Sequence, residues 1–118
     1  MANPNGRKGA AFEIAVRNYL RNAGIFVERL VKNGKHDEGD LVCIVAGKTY
    51  ILELKNRKKL DLPQFWREAV AEAENYGKAR KQQTPISYVI IKRRNAPIEQ
   101  AWVIETMEQW LEGLDGRV

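Results

Sequence analysis

A β-hairpin in the middle of the chain is the feature that most constrains the fold. Residues 41–46 and 48–55 are both rich in β-branched and other apolar side chains, and Gly47 between them suits a tight turn. Two such strands need neighbours to cover their apolar side chains. We therefore expect the hairpin to lie at the centre of a larger sheet.

The segments on either side predict further elements in the order α-β-β-β-α-β-β-α. Apolar residues recur at i, i+3 and i+4 spacing in the first helix, and Asp61 followed by Gln64 is typical of a capped helix start. The predicted elements are a helix over 12–23, strands over 25–32, 41–46 and 48–55, a helix from Asp61 towards Thr84-Pro85, strands over 86–92 and 101–105, and a helix from Thr106 to Gly113. This order predicts a single α/β domain over residues 1–118, with a mixed central sheet of about five strands flanked by helices.

The charge balance favours an anionic partner. Twenty lysines and arginines stand against 15 aspartates and glutamates, a net charge of +5, which suits nucleic acid before an acidic membrane. No apolar run reaches the roughly 20 residues of a spanning helix, and the polar start lacks a signal-peptide hydrophobic region. We therefore expect a cytoplasmic protein (host cytoplasm if viral) without a membrane partner.

The scarcity of cysteine and histidine limits the chemistry. Cys43 is the only cysteine, and its apolar neighbours indicate a buried strand, while His36 is the only histidine. These counts argue against zinc sites and Cys-His nucleophiles. Any metal must be held by oxygen ligands, as Mg²⁺ usually is, with Mn²⁺ expected to substitute.

Two charged side chains interrupt the apolar second strand of the hairpin. Glu53 and Lys55 project from one face, whereas Leu52 and Leu54 point to the other. Asp40 opens the preceding strand, where antiparallel pairing brings its carboxylate near Glu53. Two carboxylates this close repel each other unless a divalent cation neutralises them.

This arrangement predicts a magnesium centre that hydrolyses phosphodiester bonds. Asp40 and Glu53 would hold the metal, with the backbone carbonyl of Leu54 as a third ligand, and Lys55 would orient the attacking water and contact the phosphate. Glu13, at the edge of the first helix's apolar stripe, would bind a second metal or a water on the metal.

Ordinary structural roles also fit each of these residues taken alone. A Glu-x-Lys pair is typical of a solvated edge strand, and Asp40 suits a turn after glycine. Glu13 suits the first turn of a helix. The catalytic interpretation depends on all of them occurring together.

The pattern resembles that of a known superfamily. Gly39-Asp40, a spacer of strand and turn, and then Glu53-Leu54-Lys55 resemble the PD-(D/E)XK nuclease signature. The stretch Arg7-Lys8-Gly9 followed by Glu13, together with the elements after it, is similar to archaeal-type Holliday-junction resolvases over roughly residues 7–93. The resemblance implies a restriction-endonuclease-like sandwich and Glu13, Asp40, Glu53 and Lys55 as active-site residues. Gly39 stands where the family usually has proline, and the serine often found after the lysine is absent from 56–59.

Basic residues suggest a DNA track beside this centre. They follow the motif, lie on the second helix, and flank both the first helix and the polar loop: Arg57, Lys58, Lys59, Lys78, Arg80, Lys81, Arg7, Lys8, Lys32 and Lys35, with a further run at 92–94. Nothing resembles a base-reading element, so recognition of branched DNA by shape is expected. If about six of these residues contact phosphates, the slope of log affinity against log salt is roughly −5.

Three classes of function therefore remain open. The first is a structure-selective endonuclease that cleaves Holliday junctions in recombination and repair, with nicking or restriction-type cutting as enzyme alternatives. The second is a non-catalytic DNA-binding module on the same fold, and the third is a structural or protein-interaction role. A symmetric four-way junction also favours a homodimer, for which Trp66, Trp102 and Trp110 are candidate interface residues.

Overall fold

The computed structural model of the chain describes residues 4–31 and 37–115, with side chains from residue 9 onward. In these ranges the elements are α1 (Pro4–Asn22), β1 (Phe26–Arg29), β2 (Leu41–Val45), β3 (Lys48–Lys55), α2 (Leu62–Arg80), β4 (Ile86–Ile91), a 3-10 turn (Ile98–Gln100), β5 (Trp102–Ile104) and α3 (Met107–Asp115). The predicted α/β class and order of main elements are confirmed. No helix within the described ranges combines the length and apolar character needed to cross a membrane.

The five strands form one mixed sheet in the order β1-β2-β3-β4-β5. β3 and β4 are parallel, because α2 carries the chain back across the sheet between them, and the other neighbouring pairs are antiparallel. The hairpin of β2 and β3 therefore lies inside the sheet, as its composition predicted, and β3 has a strand on either side.

The two faces of β3 pack against different helices. Leu52 lies in a core cluster with Phe12 and Val16 of α1. Ile51 instead packs with Ala73 and Tyr76 of α2. Because side chains alternate along a strand, Glu53 and Lys55 lie on the face covered by α2.

α2 begins after Asp61, the capping residue that the sequence predicted. The Asp61 carboxylate accepts a hydrogen bond from the Gln64 backbone amide at 3.2 Å, which satisfies one of the unpaired N–H groups of the first turn. The helix ends at Arg80, where Lys81 adopts a left-handed conformation with φ 54°. The chain then turns back so closely that a Cβ on Gly77 would lie 3.1 Å from the Gln82 carbonyl oxygen.

Several predicted boundaries were wrong. The first strand covers only Phe26–Arg29 rather than 25–32. Residue 32 and residues 33–36 of the predicted polar loop lie outside the described residues. A 3-10 turn over Ile98–Gln100, which the sequence did not predict, precedes β5. The last helix does not end at Gly113 but continues to Asp115, because a helix interior tolerates a single glycine at a cost of about 1 kcal/mol.

Candidate active site

Asp40 is held against β3 by its backbone and its side chain. Its amide donates to the Leu52 carbonyl oxygen at 3.1 Å, and its Oδ2 accepts a hydrogen bond from the Leu54 amide at 2.8 Å. The next residue, Leu41, pairs with Leu52 in the antiparallel ladder, so Asp40 stands opposite Glu53. The strand register therefore brings the two carboxylates together, as the sequence predicted.

The backbone at Gly39 explains why this position is not proline. Its φ is +103°, far from the value near −65° to which the proline ring is restricted. A Cβ at this position would also lie 2.6 Å from Cγ2 of Ile51. Glycine lets the chain pass directly over β3 and deliver Asp40 to the site.

Lys55 is buried among carboxylates and one aromatic ring. Its Nζ donates to Oε2 of Glu68 at 2.5 Å and lies 3.8 Å from Oε2 of Glu53. It also lies 4.9 Å from the centre of the Phe65 ring, a favourable cation–π position. The hydrogen bond to Lys55 lowers the pKa of Glu68.

Glu53 lies between two other carboxyl groups. It is 5% exposed, and side-chain hydrogen bonds connect it to Asp40 and Glu72. Burial, these hydrogen bonds and the neighbouring negative charges raise the pKa of Glu53 from 4.5 to about 11. Burial also raises the pKa of Glu72. Without a cation nearby, Glu53 therefore retains its proton at neutral pH.

The sequence interpretation missed two members of this cluster, Glu68 and Glu72 of α2. Glu72 is 7% exposed and lies seven residues after the buried Phe65, on the side of α2 that faces the sheet. An acidic residue at the i+7 position of an apolar stripe was the signal that could have found it.

The donor set fits a hard divalent cation. Glu53, Glu68 and Glu72 each offer a carboxylate oxygen, and these oxygens lie within 4.8 Å of one another. Oε2 of Glu72 is buried without a hydrogen-bond partner among the described residues. Carboxylate oxygens are the ligands that Mg²⁺ and Mn²⁺ prefer.

Glu13 lines the same cleft but belongs to α1, whereas Glu68 and Glu72 belong to α2. Its carboxylate forms an ion pair with Arg29 at 2.9 Å. Glu13 and Asp40 both line a cleft of about 1480 Å³, together with Leu54, whose carbonyl was the predicted third ligand. A role for Glu13 at a second metal stays a prediction.

Basic residues line part of this cleft. Arg57 and Lys58 follow β3, and the run Lys92-Arg93-Arg94 follows β4, so the ends of the two parallel strands supply both groups. Lys59 lines an adjoining depression beside Arg57. The cleft therefore combines an acidic floor with a basic rim.

The other predicted DNA contacts are placed differently. Lys78, Arg80 and Lys81 do not line the cleft, and Arg80 pairs with Glu38 and stacks on the Tyr76 ring. Lys32 and Lys35 lie outside the described residues, as do the side chains of Arg7 and Lys8.

A mixed five-stranded sheet flanked by helices carries Asp40, Glu53 and Lys55, and this architecture occurs among solved structures. Among solved structures, the chain is similar to Hjc of Archaeoglobus fulgidus, a Holliday junction resolvase from an archaeal hyperthermophile. The two share 19% sequence identity with a TM-score of 0.52, and the match covers 87% of this chain and 93% of that one. No protein-family model and no curated protein matches the chain. The fold implied by the resemblance of the sequence is thus confirmed.

Proposed function

We propose that this protein is a divalent-metal-dependent DNA endonuclease that cleaves four-way junctions. The observation that carries the proposal is the buried set of Asp40, Glu53 and Lys55 at the floor of an open cleft with a basic rim. Burying three ionisable groups costs several kcal/mol unless they are paired or bind a metal. A purely structural role does not explain why the protein buries three ionisable groups at the base of a cleft.

The proposed roles follow from the positions of the side chains. Asp40 and Glu53 would hold the cation, with the Leu54 carbonyl as a further ligand, and Glu13 would bind a second ion or a water on the metal. A bound cation withdraws charge from the scissile phosphate and makes a nearby water more acidic. Lys55, on the same face of β3 as Glu53, orients the attacking water and contacts the phosphate.

The basic rim supports DNA as the substrate. Arg57, Lys58 and the run 92–94 lie at the ends of β3 and β4 and flank the acidic floor. Contacts from such side chains to phosphates fix position without reading bases. The match to the fold of a Holliday junction resolvase supports a branched duplex as the preferred form.

Cleavage of labelled DNA forms tests the substrate. We expect the full chain with Mg²⁺ or Mn²⁺ to cut a four-way junction faster than linear duplex, single strands and flaps of the same sequence. Equal cutting of all forms would instead indicate general nicking or restriction-type activity. Salt-sensitive binding without any cutting would indicate a non-catalytic DNA-binding module.

Two isosteric substitutions test the site. Asp40→Asn and Glu53→Gln remove a metal-binding charge but keep the side-chain shape, so cleavage should fall at least 100-fold while junction binding in Ca²⁺ remains. Glu99→Gln, which changes an exposed carboxylate outside the cleft, is the matched control. Near wild-type cleavage by either site variant contradicts the assignment.

We also propose that the protein acts as a homodimer, because resolving a symmetric junction requires two cuts related by a two-fold axis. β5 and α3 expose large apolar side chains, including Trp102 and Trp110, which suit an interface. Trp66 instead packs against the core cluster beneath α2. Sedimentation of the full chain with and without Trp110→Lys tests this pairing, and an unchanged dimer in the variant excludes this surface.

A further inference from the structure

The acidic centre extends beyond the signature motif onto α2. Glu68 and Glu72 are four residues apart in that helix, so they lie on one face and reach towards β3. One carboxylate oxygen of Glu68, one of Glu72 and one of Glu53 all lie within 4.8 Å of one another. The three oxygens therefore come from two elements whose relative position is fixed by core packing.

One atom of this group has no partner in the described part of the chain. Glu72 is more than nine-tenths buried, yet its Oε2 accepts no hydrogen bond. A Cβ on Gly39 would lie 3.5 Å from this oxygen, which places Oε2 beside the turn that delivers Asp40. Buried carboxylate oxygens without partners are rare in folded proteins, and a bound cation is one of the few groups that satisfies them.

The ammonium of Lys55 already occupies one side of the group. It contacts Oε2 of Glu68 at 2.5 Å and lies 3.8 Å from Oε2 of Glu53. Glu72 makes no such ion pair in the described residues. Lys55 pairs with Glu53 and Glu68, and Arg57 also acts electrostatically on Glu68. The three carboxylates and Asp40 repel one another when they are ionised, and a divalent cation would reduce this repulsion.

We propose that Glu72 and Glu68 of α2, with Glu53 of β3, form a divalent-cation site next to the Asp40–Glu53 pair. Glu53 belongs to both, so the inference rests on the proposed function for that residue alone. A divalent ion at this site would compete with the Lys55 ammonium for the Glu68 carboxylate, which would leave the ammonium available to a phosphate in the cleft.

Mn²⁺ titration of the metal-free full chain, without DNA, tests the site. Calorimetry or the electron paramagnetic resonance signal of free Mn²⁺ gives the affinity directly. We expect Glu72→Gln and Glu68→Gln each to weaken Mn²⁺ binding at least tenfold. Even the loss of a residue that only hydrogen-bonds to a metal ligand typically lowers metal affinity about 10–100-fold. Glu74→Gln, an exposed change of the same charge on the same helix, should leave the affinity within twofold of wild type.

If Glu72→Gln or Glu68→Gln binds Mn²⁺ as tightly as Glu74→Gln does, the proposal is overturned. Asp40 and Glu53 would then account for Mn²⁺ binding without the glutamates of α2. Circular dichroism checks that each variant is folded. If Glu72→Gln fails to fold, Glu68→Gln decides the matter, because the Glu68 side chain is 35% exposed and tolerates replacement.

This experiment separates the metal site from the nuclease activity. Loss of Mn²⁺ affinity in both α2 variants supports the site even if the wild-type chain cuts no DNA. Unchanged affinity in either variant overturns the site even if the wild-type chain is an efficient nuclease.

Discussion

The Asp40 carboxylate accepts a hydrogen bond from the backbone amide of Leu54, 14 residues later in the chain, at 2.8 Å. This contact fixes the side chain beside Glu53 before any metal or substrate binds. Asp40 therefore has a structural role in addition to its proposed catalytic one, and the two roles respond differently to substitution.

Comparing Asp40→Asn with Asp40→Ala separates these roles. Both remove the charge, but the amide oxygen of asparagine still accepts from Leu54, whereas alanine leaves that N–H unpaired. We expect Asp40→Ala to be about 1–2 kcal/mol less stable than Asp40→Asn in urea unfolding. Equal stabilities would show that the hydrogen bond to Leu54 contributes nothing to the fold.

Gly39→Ala should destabilise the protein by at least about 2 kcal/mol. The substitution combines a left-handed φ of +103° with a Cβ 2.6 Å from Cγ2 of Ile51. Gly9→Ala is the control, because Gly9 lies within α1 and a Cβ added there would meet no atom within 4 Å. That change should add roughly 0.5–1 kcal/mol of stability. A Gly39→Ala protein as stable as wild type would contradict the close approach of Gly39 to β3.

The sequence predicted those parts of the site that depend on local geometry. Alternation along β3 placed Glu53 and Lys55 on one face, and the hairpin register placed Asp40 opposite Glu53. Glu68 and Glu72 were missed because their positions depend on how α2 packs over β3. Periodicity could place Glu72 on the buried side of α2, but the strand that α2 covers is set by the crossover to the parallel strand β4, a long-range arrangement.

The metal-free protein should lose stability as pH rises. The pKa of Glu53 is raised to about 11 in the folded chain, so above its ordinary value of 4.5 the folded state binds more protons than the unfolded state. The raised pKa of Glu72 acts in the same direction. The lowered pKa of Glu68 acts oppositely, but only below about its ordinary value of 4.5.

Urea unfolding in EDTA at about pH 5.5, 7 and 8.5 measures this dependence. The free energy of unfolding should fall across the series in wild type and fall less steeply in Glu53→Gln, which cannot ionise. Glu99→Gln, with its exposed carboxylate, should follow wild type. A wild-type protein whose stability rises or stays constant over this range would contradict the proton retention described for Glu53.

We expect the basic residues that line the cleft to contribute more to DNA affinity than those at the C-terminal end of α2. Arg57 and Lys58 line the cleft, whereas Lys78 and Lys81 do not, although all four are exposed cations. Each phosphate contact releases counterions, so removing one reduces the slope of log affinity against log salt by about 1. The variant Arg57→Gln/Lys58→Gln should therefore reduce the slope by about 2. The charge-matched variant Lys78→Gln/Lys81→Gln should change it by much less.

Fluorescence anisotropy of a labelled four-way junction in Ca²⁺, over a series of salt concentrations, measures both slopes without cleavage. Because the two double variants lower the net charge equally, a general electrostatic attraction would affect them alike. A specific track along the ends of β3 and β4 affects only the first. Equal reductions in the two variants would place the DNA over a wider surface than the cleft, whereas a larger effect of the Lys78 and Lys81 changes would place it along α2.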